Sequence, residues 1–211
     1  MTSLYFWLSL FFCILIVPIG RTSAGIFSVH LEYHPHRAPS SLRETLGSTL
    51  GIAPGWDRRP DQDFIGHHVS SRRVSTYLQS EPSPLVRAIR EAFSNALSPL
   101  GVRTVSISQW DGSAESLKQI EADSVILVEI KRFWTEGRPV ALRTHVNTSI
   151  HLTLILGIKE ESRIFTQRIY LERNRTLSRW TPEQMEQRIN DILTDILDSF
   201  LANASRPSSK E

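Results

Sequence analysis

Apolar and polar positions change period several times along this chain, and each change predicts an element. Gly25–Pro35 ("GIFSVHLEYHP") alternates by twos and is rich in β-branched and aromatic residues, which predicts a first strand. Residues 35–63 have little periodicity and much Pro, Gly, Ser and Arg, so a long loop is expected there, with one helical turn near Ser41–Leu46. "DFIGHHVS" returns to strand. From Leu85 the period becomes helical: Leu85, Ala88, Ile89, Ala92, Phe93, Ala96 and Leu97 make one stripe, with Ser83 expected as N-cap, Pro84 at the first helical position, and Pro99 and Gly101 as the stop. Val102–Gln109 alternates again, and Ser113 opens a short helix.

The second half is clearer. Val125–Val128 is four apolar residues in a row, the mark of a strand covered on both faces, and past Glu129 the run alternates until "EGRP" suggests a turn. In Arg143–Leu156 one face carries Val146, Thr148, Ile150, Leu152, Leu154 and Leu156. The other carries Asn147, Ser149, His151 and Thr153 and is expected to be wet. "RIFTQRIYLE" is its hairpin partner. Thr181, Pro182 and Gln184 then open a long amphipathic helix with Met185, Ile189, Ile192, Leu193, Ile196, Leu197 and Phe200 at helical spacing. The expected fold class is α+β: an antiparallel-rich sheet with the two amphipathic helices packed on one face, as a single domain over 25–203 and a disordered tail at 204–211.

Ahead of that domain, every residue from Leu4 to Ile19 except Ser9 and Pro18 is apolar. The run suits a secretory signal and falls short of the roughly 20 residues that span a bilayer. Thr22 and Ala24 fit a signal-peptidase site, so residues 1–24 read as a signal peptide cleaved after Ala24, or as a signal anchor associating with a membrane through residues 4–19. Cys13 is the single cysteine; Phe11 and Phe12 before it are too large for lipid attachment, and no lipidation is assigned.

Charge narrows the partners. Arg21 is the one charge in residues 1–24, and 22 acidic residues nearly balance the remaining basic ones, which does not suit nucleic acid. There is no G-x-S-x-G, Gly-rich phosphate loop, C-x-x-C or H-E-x-x-H, so no catalytic residue or cofactor is assigned. His30, His34 and His36 share strand parity and could face one Zn²⁺ or Cu²⁺ ion, but Pro35 interrupts them and no cysteine or carboxylate stands at ligand spacing; surface histidines are the preferred reading, and no metal is assigned. The expected binding residues are Asn147, Ser149 and His151 on the wet strand face, Trp134 at an element end, and Arg58 and Arg59 in the Arg-rich loop.

"WDRRPDQDFIG", "SPLVRAIREAFSNALSPLGV", "ADSVILVEIKRFWTEG", "HVNTSIHLTLILG" and "QRINDILTDILDSFL" together resemble the YajG-like family of bacterial envelope lipoproteins, over residues 56–203. The resemblance implies a small α+β domain on the periplasmic side, tethered by lipid, with no established enzymatic activity and no catalytic residues to carry over. The chain departs from the family in lacking a small residue before its cysteine. The expected function is a non-catalytic exported envelope domain that binds a protein partner or a membrane or cell-wall component. An accessory subunit of an envelope transport system, a lipid- or small-ligand-binding domain, and a metal-dependent hydrolase remain as alternatives.

Overall fold

The computed structural model describes residues 24–36 and 42–205. The apolar segment with Cys13, Arg37–Ser41 and the tail from 206 lie outside the described residues.

Strands and helices follow in the order β1 (Gly25–His30), α1 (Leu42–Leu46), β2 (Thr49–Ile52), β3 (Trp56–Asp57), β4 (Gly66–Val69), β5 (Ser75–Glu81), α2 (Leu85–Leu97), β6 (Arg103–Ser106), α3 (Ala114–Leu117), β7 (Ser124–Val140), β8 (Arg143–Ile158), β9 (Arg163–Leu177) and α4 (Pro182–Ala204). The nine strands among the described residues belong to one mixed sheet, and the class is α+β. Its spine is the antiparallel meander β7–β8–β9. Along its other side β7 meets three short parallel neighbours in turn: β2 at Ser124–Ile126, β3 at Glu129–Ile130 and β4 at Thr135–Gly137. β6 extends the sheet beyond β2, while β5 and β1 extend it beyond β4. At Gly66 the β4 backbone comes so near β7 that a Cβ would lie 2.2 Å from the Thr135 carbonyl oxygen.

The inner face is closed by α2 and α4. Phe93 of α2, Phe200 of α4 and Phe133 of β7 are among the side chains wholly enclosed there, each stabilising the fold by about 1.5–3 kcal/mol through burial. Among the described residues the outer face is covered at one end, where Trp110, Leu117 and Ile120 pack on Val125 and Leu127.

A bulge divides β7 between these environments. The β7–β8 register slips between Ile130 and Arg132, so Lys131 is the extra residue. Strict alternation would place Phe133 on the face of Val125, Leu127 and Glu129. The extra residue reverses the parity, sending Phe133 into the inner core and Trp134 outward.

The chain after β1 is tied down by an unusual ladder. The backbone N–H groups of His30, Glu32, His34 and His36 donate to Glu186 Oε2 (2.8 Å), Asn190 Oδ1 (3.1 Å), Thr194 Oγ1 (3.2 Å) and Asp198 Oδ2 (3.1 Å). Two residues of extended chain advance about 6.6–6.8 Å and four residues of helix about 6 Å, so a strand can follow side chains at i, i+4 along α4.

The structure corrects several sequence expectations. Residues 35–63 hold the expected helical turn, α1, but are not otherwise one long loop: they also carry β2 and β3, and all four residues of β2 are buried. β5 had no counterpart. The first strand ends at His30, because the following amides turn to α4 instead of a neighbouring strand. "EGRP" is not a turn: β7 runs on to Val140, and Ala141 (φ 54°) makes the reversal. Pro139 fits because β4 stops at Gly137, leaving that side of β7 open. Pro84, not Ser83, is the N-cap of α2, with no side-chain cap bond. Thr181 caps α4 with Pro182 behind it, as expected, its Oγ1 accepting from the Gln184 N–H at 3.3 Å, and α4 extends through Ala204.

Candidate binding surface on the outer sheet face

Beyond the bulge the outer face of β7, β8 and β9 is a platform of aromatic and charged side chains. The register sets its rows: Trp134, Ser149 and Glu172 lie abreast, as do Arg132, His151 and Tyr170, and Glu136, Asn147 and Asn174. β4 adds His67 beside Glu136. The rings of His67 and Trp134 are 5.7 Å apart, His67 and Tyr77 6.1 Å, and Phe64 and Tyr77 4.8 Å. The His151 and Tyr170 rings lie 5.1 Å apart, and Tyr170 is 70% exposed.

Each of three acids on this surface sits between two partners. Glu129 faces Arg58 (4.0 Å) and Lys131 (3.6 Å). Glu136 faces His67 (3.5 Å) and Arg138 (2.6 Å). Glu172 accepts from Ser149 Oγ (2.5 Å) and faces His151 (3.8 Å). Shared in this way, the carboxylates are oriented and their oxygens engaged, which lowers the cost of covering them with another surface.

An open groove of about 420 Å³ runs across the platform, with Trp134, His151, Arg132 and Lys131 on the sheet side and Arg59, Pro60 and Asp61 as a lip. Three expected binding residues, Arg59, Trp134 and His151, meet there. Their roles differ. Arg59 is only 5% exposed. Its guanidinium grips Asp57 through Nε (2.9 Å) and Nη2 (2.8 Å), and donates to the carbonyls of Phe64 (2.7 Å) and Gln62 (3.0 Å). It knits the 57–64 loop, and its donors are already engaged. Arg58 is the exposed member of the pair, with its guanidinium 5.6 Å from the centre of the Trp56 ring.

The β8 outer face is drier than expected. Ser149 and Thr153 are buried, and Asn147 and His151 are half-buried. Short side chains between long cross-strand neighbours, Trp134 and Glu172 for Ser149, lose their water to those neighbours. The alternation could not reveal Tyr170, Glu172, Glu136 and His67, because each acquires its place through register with another strand.

The three histidines considered for a metal go to separate carboxylates. His30 lies 3.7 Å from Glu81 and 3.9 Å from Glu186, His34 2.7 Å from Glu32, and His36 3.4 Å from Asp198. Among the described residues, no group of three or more His, Cys, Asp or Glu side chains is placed to hold a metal ion. What the sequence reading missed is the partner of this segment, the polar stripe Glu186, Asn190, Thr194 and Asp198. Its four-residue spacing was visible beside the apolar stripe of α4.

Displaced pKa values mark structural joints. Burial, then the hydrogen bond to Asp198 and its charge, push Tyr33 above the usual phenol range. Desolvation, and secondarily the charge of His67, lower His68, whose ring stacks on Trp180 at 3.8 Å over Gly137. Hydrogen bonds from Ser116 and then Ser113 hold Asp111 down at about 2, at the start of α3. Hydrogen bonds from Ser48 lower Asp123 despite the opposing desolvation, where it ties β2 to β7.

The chain is similar in fold to protein XCC0632 from Xanthomonas campestris (DUF330), with 13% identity, a TM-score of 0.54, and coverage of 84% of this chain and 93% of that one. An uncharacterised protein aligns with 15% identity, TM-score 0.46, and coverage of 87% and 97%. Lipoprotein GNA1162 from Neisseria meningitidis aligns with 10% identity, TM-score 0.40, and coverage of 72% and 99%. No protein-family model matches the chain, and no curated protein matches it.

Proposed function

We propose that this chain is a non-catalytic, exported domain of the bacterial cell envelope that docks a protein partner on the outer face of β7–β9. The observation that carries the reading is the contrast between the two faces of one sheet beyond the bulge. The inner face is packed by two helices, whereas the outer face presents Trp134, His151, Tyr170 and paired charges around an open groove. Aromatic residues flanked by satisfied polar groups are the composition of protein–protein contact surfaces. The acids on this face are bound into pairs, an arrangement suited to electrostatic complementarity. Export to the envelope follows from the apolar run Leu4–Ile19 with the small-residue exit at Thr22–Ala24, and that run also offers membrane association if it is retained. The YajG-like resemblance supports the same reading.

Photo-crosslinking in cells tests it. A benzoylphenylalanine at Trp134 is expected to give one discrete protein adduct, and the same probe at the exposed Glu91 of α2 is expected to give none. Equal labelling from both positions, or no protein adduct from Trp134, would reject the docking face.

A further inference from the structure

The geometry points to a second binding site on the opposite face of the sheet, a slot between β8–β9 and the first half of α4 that takes a carboxylate-headed acyl chain. β9 supplies the first observation. Its inward register positions run Phe165, Gln167, Ile169, Leu171, Arg173, Arg175, Leu177, so two arginines interrupt the core-facing side of a strand opposite Thr148 and Val146. A local break of this kind in an otherwise consistent pattern is where function is expected. The second observation is space. At this position the inner face leaves a slot of about 110 Å³, walled by Val146, Leu177, Met185, Ile189 and Ile192. At about 30 Å³ for each water-sized group, it has room for roughly four methylenes.

Charge decides the ligand class. Arg173 is held by Asp195 at 2.9 Å. Arg175 and Arg188 also line the slot and, among the described residues, have neither an ion-pair nor a hydrogen-bond partner. Asp191 is the one acid in the lining, so the slot remains net positive. Thr135 and Thr148 face each other at 3.2 Å, both buried. A hydroxyl pair uses only one of its two protons, so the second can serve an acceptor in the slot. An apolar wall, two arginines free of carboxylates and a spare hydroxyl proton fit an anion carried on a short apolar chain. This site is independent of the outer-face reading.

Calorimetric titration with pentanoate tests the inference, with pentanol, inorganic phosphate and phosphatidylglycerol vesicles as comparators. Pentanoate is expected to bind saturably, and Arg175→Gln with Arg188→Gln, both changes at solvent-reaching side chains, to weaken it at least tenfold with an unchanged thermal midpoint. Val146→Phe, which fills the slot, is expected to abolish binding while both arginines remain. Pentanol binding as well as pentanoate, phosphate binding as well as pentanoate, or pentanoate affinity indifferent to the arginine pair would each overturn the inference. Binding to the vesicles without binding to pentanoate would overturn the assignment to a free carboxylate.

Discussion

The two halves of β7 are one strand in two different environments. From Ser124 to Val128 it is covered on both faces: Ile126 and Val128 enter the inner core, while Val125 and Leu127 meet Trp110, Leu117 and Ile120 outside. From Arg132 to Val140 only the inner face is closed, and Trp134 and Glu136 look outward onto the open platform. The change occurs at the Lys131 bulge. A single additional residue therefore does more than bend the strand; it assigns the large aromatic pair Phe133-Trp134 to opposite sides, one to the core and one to the open platform.

The largest expected effect follows from the covered half. Leu127→Ala removes a fully buried side chain from the outer cluster, and such truncations cost about 2–5 kcal/mol. Trp134→Ala deletes a larger side chain from the open half and is expected to cost less. Urea unfolding of the two variants measures both. If Trp134→Ala proves the more destabilising, the division of β7 into a structural and a recognition half is lost.

That division was partly legible in the sequence. The unbroken apolar run Val125–Val128 revealed the covered half, and the alternation after Glu129 revealed the emergence. The long antiparallel strands and the helices α2 and α4 carry their signals locally, in periods of two and 3.6 over a dozen residues or more. The short parallel strands do not. Thr49–Ile52 is four residues inside a Pro-, Gly- and Ser-rich stretch, and it becomes a strand only because β7 and β6 flank it. The same limit applied at the surface. Trp134 and His151 could be chosen from the pattern, but Arg59 could not be assigned to loop closure without knowing that Asp57, Gln62 and Phe64 converge on it.

A smaller effect should appear where the open half meets α4. Burial is the main reason that His68 has a lowered pKa, and it stacks on Trp180 just before α4 begins. A histidine lowered on folding favours the neutral form in the native state, so the unfolded chain binds the proton more readily. The stabilising contribution is therefore complete above the unfolded value of about 6.5. It is lost as pH falls from there towards the lower folded value. His68→Phe keeps an aromatic ring for the stack and removes the titration. Unfolding curves at a series of pH values are expected to show the wild type losing stability relative to His68→Phe below that point. A constant difference between the two would mean that the His68 ring takes up its proton equally well folded and unfolded.

The smallest effect on stability should fall at the centre of the open half, and there it carries the most information. Tyr170 touches His151 and is otherwise largely in solvent. Removing an exposed side chain of this kind changes stability by about 0.5 kcal/mol or less. Truncating an aromatic anchor of a docking surface, by contrast, commonly costs more than 1 kcal/mol of binding. Tyr170→Ala should therefore leave the urea midpoint almost unmoved and yet weaken the discrete adduct formed from a crosslinker at Trp134, two rungs of the sheet away. The covered half of β7 offers no such dissociation, because Leu127 cannot be cut back without the fold registering it. If Tyr170→Ala lowers stability by as much as a core truncation, the platform is part of the core after all. If it leaves both stability and the adduct intact, recognition lies in the groove between Trp134 and the Arg59–Asp61 lip, and the aromatic row of β9 serves only to flank it.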